Sequence, residues 1–151
     1  MAETAQTAKT EFIMLSTPEL IQTYWNGMTP HIQRYIDEAT DGELLLEDIY
    51  AKLAAMECFA FIVKTEDNDV ELAIVAEAVQ YPRLNVLNII AIGGHDLKTF
   101  YSKYWNVLAG WAHLIGFRAI EGQVAEGMAR LMAPMGFEKK SVLVRAPTLG
   151  D

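Results

Sequence analysis

The sequence has almost no cysteine, and this absence excludes two classes of protein. Cys58 is the only cysteine among 151 residues, so the chain can form neither an internal disulfide nor a metal site built from several cysteines. The apolar run CFAFIV around it predicts that Cys58 lies in the core. A reducing compartment is the expected environment of such a chain.

Positive charge is scarce in the first half of the chain. Residues 1–80 carry 15 acidic and 4 basic side chains, whereas residues 81–151 carry 5 acidic and 8 basic ones, and the net charge is −8. We therefore expect no direct binding to nucleic acid, because a phosphate backbone requires a basic face on its partner. The second half is basic enough to accept a smaller anionic ligand.

Long apolar runs are also missing. No run reaches the roughly 18 residues of a membrane-spanning helix, and the initial MAETAQTAKT lacks the apolar centre of a signal peptide. We expect a protein without a membrane segment that is not secreted by a signal peptide.

Motifs of several common chemistries are absent. The histidines His31, His95 and His113 are scattered, with no metal-ligand spacing, so no metal site is predicted. The chain has neither a phosphate-binding Gly-x-x-x-x-Gly-Lys loop nor a Gly-x-Ser-x-Gly nucleophile motif.

About half of the residues are apolar, which suits one well-buried core. We predict a flexible arm over residues 1–9, a single domain over 10–147 and a tail over 148–151. Helical spacing predicts three helical pieces after a first strand at 11–15, with interruptions at Gly27 and Thr29-Pro30. Seven further segments with extended or helical patterns follow. They are strands 58–64, 70–81 and 84–94, helix 95–117, strand 118–124, helix 125–137 and strand 138–147.

The resulting order is β-α-α-α-β-β-β-α-β-α-β, an α/β fold with a mixed sheet and helices on both faces. Asp96 is expected to cap the long helix and Gly116 to end it. Together with the strand LNVLNIIAIGG before that helix, this order resembles the GNAT acetyltransferase fold.

The resemblance implies where a cofactor would bind. In GNAT enzymes, backbone N–H groups at the exit of the fourth strand hold the pyrophosphate of acetyl-CoA. Here the exit reads Ala-Ile-Gly-Gly-His-Asp, which keeps two glycines but loses the family spacing Arg/Gln-x-x-Gly-x-Gly/Ala. If acetyl-CoA binds, the resemblance places it on Gly93, Gly94 and His95, beside an Asp96 that would repel phosphate. A tight turn between strand and helix is the simpler interpretation of the glycine pair.

The resemblance also implies two catalytic positions. Alignment on Gly136-Phe137 places Met132 where the family usually has a tyrosine as general acid, and methionine has no proton to donate. Glu77 is the one carboxylate inside an apolar strand at a position where GNAT enzymes sometimes keep a general base. An outward-pointing strand residue is its simpler interpretation.

A second resemblance concerns tailed bacteriophages, whose morphogenesis genes encode short GNAT-like proteins, some of them internal virion proteins. The similarity rests on Tyr81-Pro82-Arg83, Gly93-Gly94, Trp111-Ala112, and Arg130-Leu131 before Gly136. It implies a non-catalytic structural protein, in effect a pseudoenzyme without a cofactor, that binds portal, internal core or tail components. Such a protein would reside in the virion or the host cytoplasm, and its self-association is left open.

The sequence thus leaves different classes of function open. The loss of both catalytic signatures favours the non-catalytic virion or assembly protein. The alternative is an N-acyltransferase that moves an acetyl group from acetyl-CoA to an amine, with Glu77 as the base. A binder of an acyl-CoA-like ligand without turnover is a third hypothesis.

Overall fold

A computed structural model describes residues 9–148. The predicted arm lies outside these residues except for Lys9, and the predicted tail lies outside them beyond residue 148. The domain bounds 10–147 therefore stay a prediction.

The described chain forms a five-stranded mixed sheet covered by helices. The strands are β1 (Thr10–Met14), β2 (Phe59–Thr65), β3 (Val70–Tyr81), β4 (Leu84–Gly94) and β5 (Ala119–Gly122). They lie in the order β1-β2-β3-β4-β5, antiparallel throughout except for the parallel pair β4 and β5. The helices are α1 (Pro18–Ala39), α2 (Leu46–Ala54), α3 (Leu97–Lys103), α4 (Trp105–Ile115) and α5 (Glu126–Met132), followed by a 3₁₀ turn (Ala133–Met135). The predicted mixed α/β class is confirmed.

The helices cover both faces of the sheet because the strands alternate apolar side chains to each side. On one face, α1 packs against β3 and β4 through fully buried side chains such as Met28 and Ile32. On the other, Phe61 of β2 contacts Trp111 of α4, with ring centroids 5.1 Å apart. Cys58 is buried, as predicted. None of the helices formed by residues 9–148 is long and apolar enough to cross a membrane.

Helix α1 is continuous where the sequence predicts an interruption. Pro30 has no N–H to bond the carbonyl of Asn26, and the Thr29 hydroxyl donates to that oxygen instead, at 2.9 Å. A side chain at Gly27 would meet the Val70 side chain at 2.7 Å. Gly27 therefore lets the helix approach the sheet, and the first two predicted helical pieces form one element.

The helix predicted over 95–117 divides into α3 and α4 at Tyr104. Tyr104 stacks on Phe12 at 5.6 Å and its hydroxyl lies 2.6 Å from that of Thr10, so contacts with β1 hold it out of helical geometry. The predicted ends are confirmed. The Asp96 carboxylate caps α3 through Thr99 N–H, and Gly116 ends α4 with φ of 114°.

The strand predicted over 138–147 does not form. Residues 138–148 belong to no helix or strand and are exposed throughout. A strand requires a partner for its backbone groups, and this segment has none among the described residues.

Candidate functional site

The most distinctive feature of the sheet is the separation of β4 from β5. Their pairing runs from Val86↔Ala119 to Ile89↔Gly122 and then stops, although β4 continues to Gly94. A bulge marks this point, since neighbouring residues of β3 pair with Ala91 and Ile89 and leave Ile90 as the extra residue. Bulges bend a strand and strengthen its twist. The space between Ile90–Gly94 and the chain that follows β5 is called the β4–β5 cleft below.

The cleft borders an unpaired strand edge. From Ile90 to Gly94, β4 pairs with β3 on one side, and on the other it has no partner strand in the described part of the chain. The N–H and C=O groups on that side have no strand partner, and they belong to the half-buried Ile90 and the buried Ala91–Gly94. Backbone groups in such surroundings require hydrogen-bond partners, which an extended ligand can supply.

Arg34 places a positive charge at the end of this edge. The His95 N–H donates to the Glu71 carbonyl of β3 at 2.9 Å. Because a trans peptide directs its C=O opposite to its N–H, the Gly94 carbonyl points away from β3, toward the side of the cleft. Arg34 Nη2 of α1 donates to that carbonyl at 2.7 Å. A guanidinium has five N–H donors, so Arg34 keeps several for another group.

Tyr35 marks the opposite side of the cleft. Its buried hydroxyl donates to the carbonyl of Gln123, the first residue after β5. Burial, assisted by the Glu43 carboxylate, raises the pKa of Tyr35 to about 12, so this hydroxyl stays protonated at neutral pH.

Close packing explains the glycine pair of the predicted cofactor site. A Cβ on Gly93 would lie 2.4 Å from the His31 carbonyl oxygen, and one on Gly94 would lie 2.8 Å from the Glu71 carbonyl oxygen. Both glycines are thus required by neighbouring backbone whether or not a ligand binds. Together with the exposed His95 they form the end of the β4 edge beside Arg34, and their cofactor role stays a prediction.

Two histidines, His31 and His95, lie at the turn between β4 and α3. The His31 ring is buried, with Nε2 2.8 Å from the Val70 carbonyl oxygen, and the His95 ring meets it edge to face at 4.9 Å. Because the carbonyl can only accept, Nε2 of His31 carries a proton. Burial lowers the pKa of His31 below its ordinary value, and the charges of His95 and Arg34 act in the same direction.

The Asp96 carboxylate is directed into α3. It accepts hydrogen bonds from the Thr99 hydroxyl at 2.6 Å and the Thr99 N–H at 3.1 Å. These two bonds, the hydroxyl first, lower the pKa of Asp96. The lowered pKa keeps Asp96 ionised at neutral pH, so its charge beside the turn still opposes a phosphate.

The predicted base, Glu77, belongs to a polar row that the sequence did not reveal. Glu77 pairs with Asn88 of β4, which in turn pairs with Glu121 of β5, so the three side chains share one face. Lys52 of α2 lies 3.2 Å from Glu77, which identifies this as the face that α2 covers. Tyr81 donates to Glu121 at 2.6 Å. The row ends one residue before the strands separate, at the closed end of the cleft.

The position aligned with the general acid offers no proton. Met132 is buried at the end of α5, only 3% exposed. A tyrosine from another element does approach α5, since the Tyr101 hydroxyl of α3 lies 3.9 Å from the sulfur of Met128. Burial raises the pKa of Tyr101.

A separate concavity of about 350 Å³ lies on the α4 side of the sheet. Its apolar lining includes Trp105, Phe117, Ile120, Met135 and Phe137. It borders β5 itself, and none of the cleft residues described above lines it. Within residues 9–148, no cluster of His, Cys, Asp and Glu side chains could hold a metal ion.

Several solved structures with a similar fold are named as acetyltransferases or predicted acetyltransferases. A predicted acetyltransferase from Clostridium acetobutylicum with acetyl-CoA aligns over 92% of this chain and 96% of its own, at 12% identity and a TM-score of 0.66. An aminoglycoside N-acetyltransferase in complex with CoA aligns over 95% and 97%, at 12% identity and a TM-score of 0.67. A GNAT family acetyltransferase from Staphylococcus aureus aligns over 94% and 100%, at 9% identity and a TM-score of 0.63.

The GNAT-like fold inferred from the sequence is thereby confirmed. No protein-family model matches the chain, and comparison with curated proteins finds no similar sequence. At these identities the solved structures establish the fold and nothing finer.

Two expectations are corrected by these comparisons. The prediction of a non-catalytic phage virion or assembly protein is contradicted, because the three structures above bear the names of acetyltransferases and none of them concerns a phage. The expected absence of a cofactor is corrected for the same reason, since acetyl-CoA and CoA are bound in two of them. Both family motifs are degraded in this chain, whereas the scaffold that carries them is retained.

Proposed function

We propose that the protein is an N-acetyltransferase that moves an acetyl group from acetyl-CoA to an amine. The observation that carries this proposal is the edge of β4 from Ile90 to Gly94, which follows the bulge and has no partner strand on the β5 side among the described residues. The CoA arm is an extended chain that contains amide groups, and an extended chain binds a free strand edge as another strand would. The relatives with this fold that hold acetyl-CoA and CoA support the same cofactor.

The end of the β4 edge suits the phosphates of the cofactor. Arg34 donates a hydrogen bond to the Gly94 carbonyl, and the exposed His95 is the next residue along the chain. A guanidinium matches phosphate oxygens through paired N–H groups. Gly93, Gly94 and His95 would hold the cofactor together with Arg34, which the motif comparison did not identify.

The polar row supplies the chemistry that an amine acceptor requires. Acetyl-CoA would supply an acyl group activated as a thioester; as the C–N bond forms the C–S bond would break, and CoA would leave as a thiolate that takes a proton from water. An amine is an ammonium ion at neutral pH and must lose a proton before its nitrogen can form the new C–N bond. We assign Glu77 as the acceptor of that proton. The Glu121 carboxylate on the same face attracts the cation, and the Asn88 amide oxygen can accept a hydrogen bond from it. Lys52 holds the Glu77 carboxylate in place at 3.2 Å.

Isothermal titration of the purified protein with acetyl-CoA and with CoA at low salt tests the cofactor. We expect binding with a micromolar dissociation constant for both. A sample that is folded by circular dichroism but gives no heat at millimolar ligand would contradict the proposal. The earlier predictions of portal, core or tail partners and of a virion or host-cytoplasm location play no part in it.

A second experiment tests transfer. The protein is incubated with acetyl-CoA and a panel of primary amines, and mass spectrometry detects the acetylated products while a thiol reagent measures released CoA. Acetylation of at least one amine, with equal release of CoA, is expected. Cofactor binding without transfer to any amine of the panel would overturn the catalytic part.

A further inference from the structure

Lys52 places a primary amine of the chain itself beside the assigned base. Its Nζ lies 3.2 Å from Oε1 of Glu77, and the Lys52 side chain is 40% exposed, so a thioester can reach the nitrogen. A general base takes a proton from a group within hydrogen-bond distance, about 2.6–3.2 Å. Lys52 thus lies where an acceptor amine must lose its proton.

The Lys52 amine is an ammonium group at neutral pH. The hydrogen bond from Lys52 to Glu77, and then the charge of that carboxylate, raise the pKa of Lys52. An ammonium nitrogen has no free electron pair, so it reacts only after a proton has left. The carboxylate oxygen that it already contacts is the nearest acceptor for that proton. The ion pair that holds Glu77 in place therefore also directs a proton of Lys52 to Glu77.

The cofactor orientation assigned above brings the thioester to the same end of the cleft. With the phosphates at Gly94 and His95, the acetyl end of the CoA arm points along β4 toward Ile90. Asn88, which pairs with Glu77, lies two residues before Ile90. Two residues of a strand span about 7 Å. The acetyl group and the Lys52 amine are thus assigned to one region, the closed end of the cleft.

Other lysines pair with carboxylates outside the polar row. Lys64 lies 3.4 Å from Glu11 of β1, and Lys140 lies 2.7 Å from Glu138. The Lys140 side chain is 80% exposed, twice as much as that of Lys52. Modification governed by exposure would therefore favour Lys140, whereas modification governed by the base of the cleft would favour Lys52.

We propose that Lys52 is a site of self-acetylation, modified by acetyl-CoA bound to the same chain when no acceptor amine occupies the cleft. The ammonium gives one proton to Glu77, which passes it to solvent. Nζ then bonds to the acetyl carbonyl carbon and loses a second proton to water. The C–S bond breaks, and the CoA thiolate takes a proton from water. Lys52 becomes a neutral amide, so its ion pair with Glu77 is lost. This proposal rests on the proposed acetyltransferase function.

Mass spectrometry of the full chain and of its peptides, before and after incubation with acetyl-CoA alone, tests the site. We expect acetyl-Lys52 to form at least about tenfold faster than acetyl-Lys140 in the same molecule, because a positioned base contributes roughly 10²–10⁴. Glu77→Gln should slow the modification of Lys52 at least about tenfold and leave that of Lys140 unchanged. At saturating acetyl-CoA, the rate per molecule should not change on dilution, because both reactants are held by one chain.

Calorimetry with acetyl-CoA separates this proposal from the one on which it rests. Binding of acetyl-CoA without modification of Lys52 would overturn self-acetylation and leave the proposed function intact. Equal rates at Lys52 and Lys140, or a Lys52 rate that Glu77→Gln leaves unchanged, would indicate ordinary chemical acetylation and would also overturn it. A folded protein that does not bind acetyl-CoA would overturn both proposals.

Discussion

Arg34 and Tyr35, which are neighbours on α1, donate hydrogen bonds to opposite sides of the β4–β5 cleft. Arg34 bonds the Gly94 carbonyl at the end of β4, and Tyr35 bonds the Gln123 carbonyl just after β5. Two consecutive residues of α1 thus connect this helix to both sides of the cleft. Because Arg34 is charged and exposed, it can also bind a ligand. Tyr35 is buried, and its hydrogen bond fixes the position of the chain after β5.

The first prediction concerns Arg34. Arg34→Gln should weaken acetyl-CoA binding at least about tenfold, because a hydrogen bond to a charged group contributes about 1.5–3 kcal/mol. Binding of acetyl-pantetheine, which has no phosphate, should not change. Titration calorimetry with both ligands measures the difference.

The control is Arg83→Gln, which removes the same charge at the β3–β4 turn, the far end of β4. It should leave both affinities unchanged. An equal loss for the two ligands in Arg34→Gln would mean that Arg34 supports the fold of the cleft and does not bind phosphate.

The second prediction concerns the base. Glu77→Gln should lower kcat at least about 100-fold, since a positioned general base contributes roughly 10²–10⁴, and should leave the Kd of acetyl-CoA unchanged. Steady-state kinetics and calorimetry measure the two quantities. Glu11→Gln is the matched control, because Glu11 is also a strand carboxylate paired with a lysine, Lys64, but on β1 at the far edge. Full activity of Glu77→Gln would show that another residue is the base, and Glu121→Gln would then be tested.

The third prediction concerns Gly93. Gly93→Ala should lower the free energy of unfolding by at least about 1–3 kcal/mol, because the added Cβ would lie 2.4 Å from the His31 carbonyl oxygen and overpacks the interface of α1 with β4. Gly110→Ala is the control. Gly110 lies on the exposed side of α4 with nothing within 4 Å of its Cβ position, so this change should stabilise by about 0.5–1 kcal/mol. Urea unfolding compares them, and equal midpoints would refute the packing explanation.

The fourth prediction is a pH dependence caused by His31. Burial lowers its pKa in the folded state, and the charges of His95 and Arg34 act in the same direction. The hydrogen bond with the Val70 carbonyl and the Glu71 carboxylate oppose this shift without reversing it. Below about pH 6.5 the unfolded chain binds a proton at this ring before the folded chain does. The contribution of His31 to the free energy of unfolding should therefore be greatest above that pH. It should fall as the pH decreases, by at most about 1.4 kcal/mol per pH unit.

His31→Gln keeps an N–H donor for the Val70 carbonyl and removes the titration. Urea unfolding between pH 5 and pH 7.5 should show a shallower slope for this variant than for the wild type. Identical slopes would assign the pH dependence to other groups.

Local patterns predicted much of the fold because they depend on neighbouring residues. Extended apolar runs bounded by the turn at Asn68-Asp69 and by Pro82 identified β3 and β4. The caps at Asp96 and Gly116 were predictable because each depends on backbone groups within one turn of its helix. The same local reasoning was wrong at Pro30, where the Thr29 hydroxyl replaces the missing N–H as donor to the Asn26 carbonyl. It was wrong again at 138–147, since strand propensity does not produce a strand without a partner edge.

The candidate site depends on contacts between distant parts of the chain. Arg34 and Gly94 are 60 residues apart, and Tyr35 and Gln123 are 88 apart, so no motif connects them. Glu121 joins Glu77 only through the register of three strands. Composition, periodicity and capping residues thus sufficed to identify a mixed α/β chain with a GNAT-like order. Where β4 leaves β5, and which side chains meet there, was decided by packing and by a one-residue bulge, because register and long-range contacts arise only when the whole chain is folded.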